Sequence, residues 1–171
     1  HATIRRQRQM CIRDSASLIF ILLVWGCTGG NEKLYFSSLS DGWAQQEEIQ
    51  FLFSPEKINH PTNLYIYLRN DDDYPFSNIH LITILKTPIG ETLIDTLSYS
   101  MATPDGEWIG QGYWIHENKL WYKEAYRFSA VGEYRLGIRP AMRHNEQAKS
   151  IEVLEGITEV GIGIEEIQAE Q

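Results

Sequence analysis

The feature that most constrains the fold of this chain is an alternation of apolar and polar side chains with period two, which recurs along the sequence. Ile49, Phe51 and Phe53 fall on one side of such a segment, and Gln50 falls on the other. This period is typical of β-strands with one buried face, whereas an amphipathic helix repeats every ~3.6 residues. Turn-forming Pro, Gly and Asn residues separate the segments. The strand candidates are residues 49–53, 64–69, 80–85, 93–99, 134–139 and 160–164.

These candidates predict an all-β domain over residues 34–171. The expected architecture is an antiparallel β-sandwich of about seven to eight strands, immunoglobulin-like or jelly-roll-like. Tyr134 directly follows the turn at Val131 and Gly132, which is the place of the corner tyrosine in sandwich folds. One helix is predicted, over residues 145–155, because Asn145 is a suitable N-cap and a glycine follows the segment.

The first 26 residues differ in charge from the rest of the chain. The 171 residues include 15 Lys and Arg and 23 Asp and Glu, with a net charge of −8. Residues 1–26 contain four arginines and one acidic residue, which leaves 11 basic and 22 acidic residues in 27–171, a net charge of −11. The apolar run 18–25 follows the arginines and precedes Gly26. This order is typical of a secretory signal peptide, and the run is too short to cross a bilayer as a helix.

Cys27 follows the apolar run, and residues 23–27 resemble a bacterial lipobox. In a lipobox the cysteine receives a diacylglyceryl thioether and becomes the first residue of the mature chain. Two or more acyl chains hold a protein stably on a membrane. We therefore expect a signal peptide over 1–26, lipidation of Cys27 and a tether over 27–33. Residues 10–15 resemble the translation of a sequencing-library adapter, so the prediction depends on the apolar run and the cysteine, and not on the first ~15 residues.

The sequence contains little that indicates a reaction. Asp71, Asp72 and Asp73 form the densest charge cluster, but the EF-hand spacing is missing, which favours a solvated turn. The histidines lack the spacing of metal ligands, and no Gly-x-Ser-x-Gly elbow occurs. We therefore expect no enzyme, no cofactor, no metal site and no small-molecule substrate. The net negative charge also argues against a nucleic-acid partner.

Aromatic side chains crowd residues 108–128. One interpretation is that they fill the core. The other is that they are exposed on the sandwich, where aromatic rings stack on sugars or anchor a protein interface. Alternation places Tyr122 and Tyr126 on one side and Trp121 on the other. The candidate interaction residues are Tyr74, Phe76, Trp108, Trp114, Trp121 and Arg143.

Six short motifs follow one another along the mature part of the chain. They are Arg69-Asn70 with residues 74–78, Asp95-Thr96, residues 106–112, Phe128 with residues 132–134, Met142-Arg143 and residues 156–161. Their order resembles the gliding-motility lipoprotein GldH family of the Bacteroidota, over about Cys27 to Glu166. The resemblance implies a small lipoprotein that supports surface gliding and the linked secretion system, without a known reaction. The one functional residue that it carries over is the lipidated Cys27.

The signal and the resemblance together predict a lipid-anchored protein of the outer membrane. Its partners would be the membrane, through the lipid, and other envelope proteins of the gliding and secretion machinery, in which it would be a non-enzymatic accessory component. Surface-displayed lipoproteins of this phylum tend to carry acidic residues directly after the cysteine, whereas residues 28–31 are Thr, Gly, Gly and Asn. This favours a periplasm-facing domain. The alternative is a lipid-anchored glycan-binding β-sandwich module that uses the aromatic residues.

Overall fold

The computed structural model describes residues 32–143 and 151–167, which form ten β-strands and contain no helix. No helix in these two ranges is long and apolar enough to cross a membrane. The strands are β1 (Glu32–Ser38), β2 (Trp43–Ala44), β3 (Ile49–Phe53), β4 (Pro61–Asn70), β5 (Asn78–Lys86), β6 (Thr92–Ser100), β7 (His116–Arg127), β8 (Tyr134–Pro140), β9 (Val153–Leu154) and β10 (Ile157–Glu166).

The strands form two four-stranded sheets and a short ribbon. Sheet I has the order β1-β10-β4-β7, sheet II has the order β3-β8-β5-β6, and β2 pairs with β9. Every pairing is antiparallel. This confirms the all-β sandwich. The strand number exceeds the expected seven to eight, because β2 and β9 have two residues each and are too short to produce an alternation in the sequence.

The core lies between the sheets and is built from side chains at alternate strand positions. Burial of each Leu or Ile side chain contributes about 1.5–3 kcal/mol, which makes the alternating pattern the main determinant of which face turns inward. Buried members of the cluster include Ile49, Phe51 and Phe53 of β3, Leu64, Ile66 and Leu68 of β4, and Val160, Ile162 and Ile164 of β10.

Tyr134 holds the start of β8 as the sequence predicts for a corner tyrosine. Its hydroxyl donates to the Ala130 carbonyl and accepts from the Ala130 N–H, both at 3.1 Å. The ring is fully buried and lies 4.9 Å from the ring of Phe128 and 5.9 Å from that of Phe53. The hydrogen bonds satisfy the polar end of a side chain whose body is in the core.

β1 begins earlier than the tether boundary at residue 33 predicts. Glu32 and Lys33 pair with Glu165 and Ile164 of β10 and so belong to the strand. The Glu32 carboxylate accepts hydrogen bonds from the hydroxyl of Tyr67 at 2.8 Å and from a lysine of β7 at 2.9 Å. These partners are distant in sequence, so the polar composition of residues 28–33 did not reveal the strand.

The predicted helix over residues 145–155 is wrong for its described part. Residues 144–150 lie outside the described residues, and Val153–Leu154 form strand β9. Leu154 pairs with Trp43, whose side chain is fully buried. The segment is extended because burying Trp43 and Leu154 in one core outweighs the local N-cap signal.

The sandwich has two ends, which the strand registers define. At the near end, Glu32 of β1 pairs with Glu165 of β10, and Glu165 pairs with Asn63 of β4. At the far end, Asn70 of β4 pairs with His116 of β7. The near end carries the connections at residues 54–60, 87–91 and 128–133, and the far end carries those at residues 39–48, 71–77 and 101–115 together with residues 151–156.

Candidate interaction surface

Three of the predicted aromatic residues meet at the far end. The ring of Tyr74 lies 5.9 Å from that of Phe76 and 6.1 Å from that of Trp108. Tyr74 is buried, its hydroxyl donates to the Asn78 carbonyl at 2.7 Å, and burial raises its pKa. Phe76 and Trp108 are half-buried and pack against the core. Tyr74 is therefore a support for the surface rather than a contact residue on it.

Trp108 and His116 share one carboxylate. The Trp108 indole Nε1 donates to Asp72 Oδ1 at 3.1 Å, and His116 Nε2 lies 3.2 Å from the same oxygen. The two rings pack with centroids 5.6 Å apart. His116 is buried, and its Nδ1 has no hydrogen-bond partner among the described residues. Asp72, in the turn that the sequence assigned to solvent, therefore joins two connections of the far end.

Beyond Trp108 the chain forms an exposed hairpin over residues 109–115, which we call the far-end hairpin. Backbone hydrogen bonds in both directions between Gln111 and Glu117, at 2.8 and 2.9 Å, close it. Tyr113 is 93% exposed and Trp114 is 84% exposed. Gly112 has a φ of 136°, and a Cβ there would lie 1.9 Å from the Ile115 carbonyl oxygen. The hairpin thus depends on glycine at this position.

Acidic residues precede and follow the far-end hairpin in the sequence. Residues 101–118 contain three carboxylates, Asp105, Glu107 and Glu117, and no lysine or arginine. An open cleft of about 480 Å³ lies at the same end, and its lining includes Asp41, Asp71, Asp73 and Glu155. Within the two described ranges, no group of three or more His, Cys, Asp or Glu side chains is placed to bind a metal ion.

Trp121 lies apart from the far end, on the outer face of sheet I. Its ring is 4.6 Å from that of Tyr65 and is 53% exposed. On the same face Lys119 Nζ lies 3.9 Å from the centroid of the Tyr65 ring, and the guanidinium of Arg69 lies 4.4 Å from that of Phe36. The alternation correctly separated Trp121 from Tyr122 and Tyr126, and the structure shows that these two tyrosines pack against the core.

Charged pairs on sheet I neutralise Lys119 and Arg69. Lys119 contacts Glu32, and Arg69 contacts Glu117 and Glu159. The hydrogen bond that Arg69 donates to Glu117 is the largest of the effects that raise the pKa of Arg69. Partly exposed pairs of this kind contribute little stability individually, so their main effect is to order the side chains on the sheet.

The structure places the six candidate residues in four locations. Tyr74, Phe76 and Trp108 form the base of the far end, Trp114 projects from it, and Trp121 lies on sheet I. Arg143 is exposed directly after Met142 at the end of β8. Cys27 lies outside the described residues.

Sequence reasoning did not select Tyr113, which is more exposed than Trp114. The signal that marks it is its position between Gly112 and Trp114, since a glycine with positive φ commonly begins a tight turn.

Comparisons with known proteins agree with the motif order. The family model described as GldH lipoprotein matches residues 34–164. The chain is 48% identical over 124 residues to a gliding motility lipoprotein GldH homolog of Christiangramia forsetii, covering 72% of this chain and 76% of that protein. It is 36% identical over 159 residues to the gliding motility lipoprotein GldH of Flavobacterium johnsoniae, covering 92% and 99%.

Among solved structures, the chain is similar to the VP2 subviral particle of infectious bursal disease virus. The TM-score is 0.34 and the identity 10%, with 79% of this chain and 33% of that chain covered. A similarity at this level carries no argument about function. The family model, by contrast, spans every strand of the sandwich except the first two residues of β1 and the last two of β10. The chain therefore belongs to the GldH lipoprotein family.

Proposed function

We propose that this chain is a lipid-anchored protein of the outer membrane and a non-enzymatic accessory component of the gliding-motility and associated secretion machinery. The observation that carries the proposal is its match to 99% of the Flavobacterium johnsoniae protein that is named gliding motility lipoprotein GldH. The far end of the sandwich supports the proposal. Half-buried rings there lie beneath an exposed hairpin that carries aromatic side chains, and aromatic residues are enriched among those that dominate binding energy at protein interfaces.

The proposed anchor is Cys27, five residues before β1. In a gliding host that lacks its own copy, we expect Cys27→Ser to lose palmitate labelling, to leave the membrane fraction and to fail to restore spreading on agar. The matched control is Thr28→Ser, directly after the cysteine, which should keep labelling, fractionation and spreading. Unchanged labelling and fractionation of Cys27→Ser would show that the anchor is elsewhere.

The domain is proposed to face the periplasm. Protease added to intact cells should leave it uncut, and the same protease should cut it after the outer membrane is permeabilised. A lipoprotein known to be displayed on the cell surface serves as the control for protease activity. Cleavage in intact cells would place the domain outside the cell instead.

A second candidate is a lipid-anchored glycan-binding module. The observation that favours it is the exposure of Tyr113 and Trp114, because exposed rings stack on sugar faces. A glycan array with the purified domain tests it, with Tyr113→Ser/Trp114→Ser as the matched variant. Binding that disappears in this variant supports a glycan ligand, and an array without binding removes the candidate.

A further inference from the structure

We propose that the far-end hairpin docks into an apolar pocket with a basic rim on another envelope protein. The inference rests on the proposed function, since it identifies the surface by which an anchored accessory protein would meet its machinery. Four observations carry it: the exposure of the hairpin, its rigidity, the charge around it and its position at the opposite end of the domain from Glu32.

The exposure of the hairpin is unusual for a folded monomer in water. Tyr113 and Trp114 are adjacent and more than four-fifths exposed, and they are flanked by Ile109 at 54% and Ile115 at 40%. Tyrosine and tryptophan each offer about 150–250 Å² of surface for burial and are enriched among the residues that dominate binding energy. A contiguous apolar group of this size on a surface indicates a contact with another molecule.

The hairpin is also held in one conformation before any contact. Its base is fixed by the Gln111–Glu117 backbone pair and by the Ile109 N–H, which donates to the Met101 carbonyl at 2.9 Å. Below it, Trp108 is fixed through Asp72. A preorganised loop loses less conformational entropy on binding than a loop that must fold first.

The charge around the hairpin selects the partner. Asp105 and Glu107 precede it, and residues 101–118 contain no lysine or arginine. Glu117, which follows the hairpin, is already paired with Arg69. The carboxylates of Asp105 and Glu107 are attracted to Lys and Arg side chains and repelled by the anionic head groups of a leaflet. The complementary partner is therefore a protein pocket with apolar walls and a basic rim.

The hairpin lies at the opposite end of the domain from Glu32, where the described part of the chain begins. Glu32 lies at the near end, and the ten residues of β4 lead from there to the far end. At ~3.3 Å per residue the two ends are roughly 30 Å apart, so a partner can contact the hairpin without contacting the first residues of β1.

The test is photo-crosslinking in living cells with the full-length protein. Benzoylphenylalanine replaces Trp114 and, as matched controls, Ile94 at 66% exposure on β6 and Val131 at 80% exposure at the near end. We expect an adduct to one envelope protein from position 114 and none from the control positions. Mass spectrometry should map the adduct to an apolar segment within a few residues of Lys or Arg.

The identified protein is then purified and titrated with the wild-type domain and variants. Tyr113→Ser/Trp114→Ser should weaken binding by at least about tenfold, as expected for aromatic anchors. Asp105→Lys/Glu107→Lys should weaken it as well, and raising the salt from about 0.05 M to about 0.5 M should reduce binding of the wild type. These substitutions lie at exposed positions, so circular dichroism and thermal unfolding should remain those of the wild type.

Several outcomes overturn the inference. They are adducts to lipid, to glycan or to a second copy of this chain, equal adducts from Val131, or binding that is unaffected by both double substitutions. Restoration of gliding separates this inference from the proposed function. If Cys27→Ser abolishes spreading and Tyr113→Ser/Trp114→Ser does not, the proposed function stands and the docking surface is wrong.

Discussion

At the scale of single residues, Asp72 shows how a side chain assigned to solvent can hold a surface together. The Asp72 side chain is 68% exposed, yet its carboxylate accepts a hydrogen bond from the indole N–H of Trp108 and lies 3.2 Å from Nε2 of His116. Nothing in the run of three aspartates distinguishes this one, because its partners lie 36 and 44 residues away.

We expect Asp72→Ala to destabilise the domain by about 1–3 kcal/mol, because it leaves His116 buried with neither ring nitrogen paired. Asp73→Ala, next to it and exposed, is the control and should change the free energy of unfolding by less than about 0.5 kcal/mol. Asp72→Asn retains an acceptor oxygen and should recover part of the loss. Urea denaturation measures all three, and equal effects of Asp72→Ala and Asp73→Ala would show that the shared carboxylate contributes nothing.

At the scale of strands, β10 shows why two glycines stand among buried aliphatic residues. Val160, Ile162 and Ile164 face the core, while Gly161 and Gly163 face outward beneath the rings of Phe36 and Tyr67. A Cβ on Gly161 would lie 2.6 Å from the ring of Phe36 and 2.8 Å from the Tyr35 carbonyl oxygen. The alternation predicted the inward face, but the reason for the glycines lies on β1 and β4.

Gly161→Val is therefore expected to cost about 1–3 kcal/mol in the free energy of unfolding, because the Phe36 ring and the backbone of β1 must move. Repeating the substitution in a Phe36→Ala background completes a double-mutant cycle, in which the cost should fall by at least about 0.5 kcal/mol. Thr96→Val, on the exposed face of β6, controls for adding valine to a strand. An identical cost with and without the Phe36 ring would contradict this packing explanation.

The six strand candidates correspond to β3, β4, β5, β6, β8 and β10, whereas β1 and β7 were not predicted. β7 is the longest strand, but two of its buried residues, His116 and Asn118, are polar. Its register with β4 also shifts twice, and Ala125 within it has a φ of 48°. The inward positions of β7 therefore do not form the continuous apolar series that marks a half-buried strand. β1 is an edge strand with Leu34 and Phe36 outward, so its apolar residues do not mark one buried face.

At the scale of the whole molecule, buried phenols make stability sensitive to alkaline pH. Burial raises the pKa of Tyr67 to about 12 from its usual 10.0, and the pKa of Tyr99 likewise rises to about 12. The folded chain then holds these protons more tightly than the unfolded chain, so their contribution to stability is fully present below pH 10 and is lost as pH rises to about 12.

We expect the free energy of unfolding to decline from pH 10 towards pH 12, with phenolate absorbance appearing together with the loss of structure. Tyr67→Phe should show a shallower decline, since it removes one of the groups responsible. Tyr113→Phe, at the fully accessible hairpin, is the matched control and should keep the wild-type slope. A free energy of unfolding that stays constant through this range would contradict the prediction.

The sequence by itself determined the class of fold, the inward faces of five strands and the corner role of Tyr134, because these depend on local alternation and on the turn beside each strand. The motif order also determined the family. Only the tertiary structure decided which aromatic rings are buried and which are exposed. Tyr74 and Trp108 pack because β5 and the turn at Asp72 reach them, whereas Tyr113 and Trp114 extend from a closed hairpin that none of the ten described strands covers. The burial of a side chain depends on residues that are distant in the sequence, and the sequence alone does not reveal which of them pack against it.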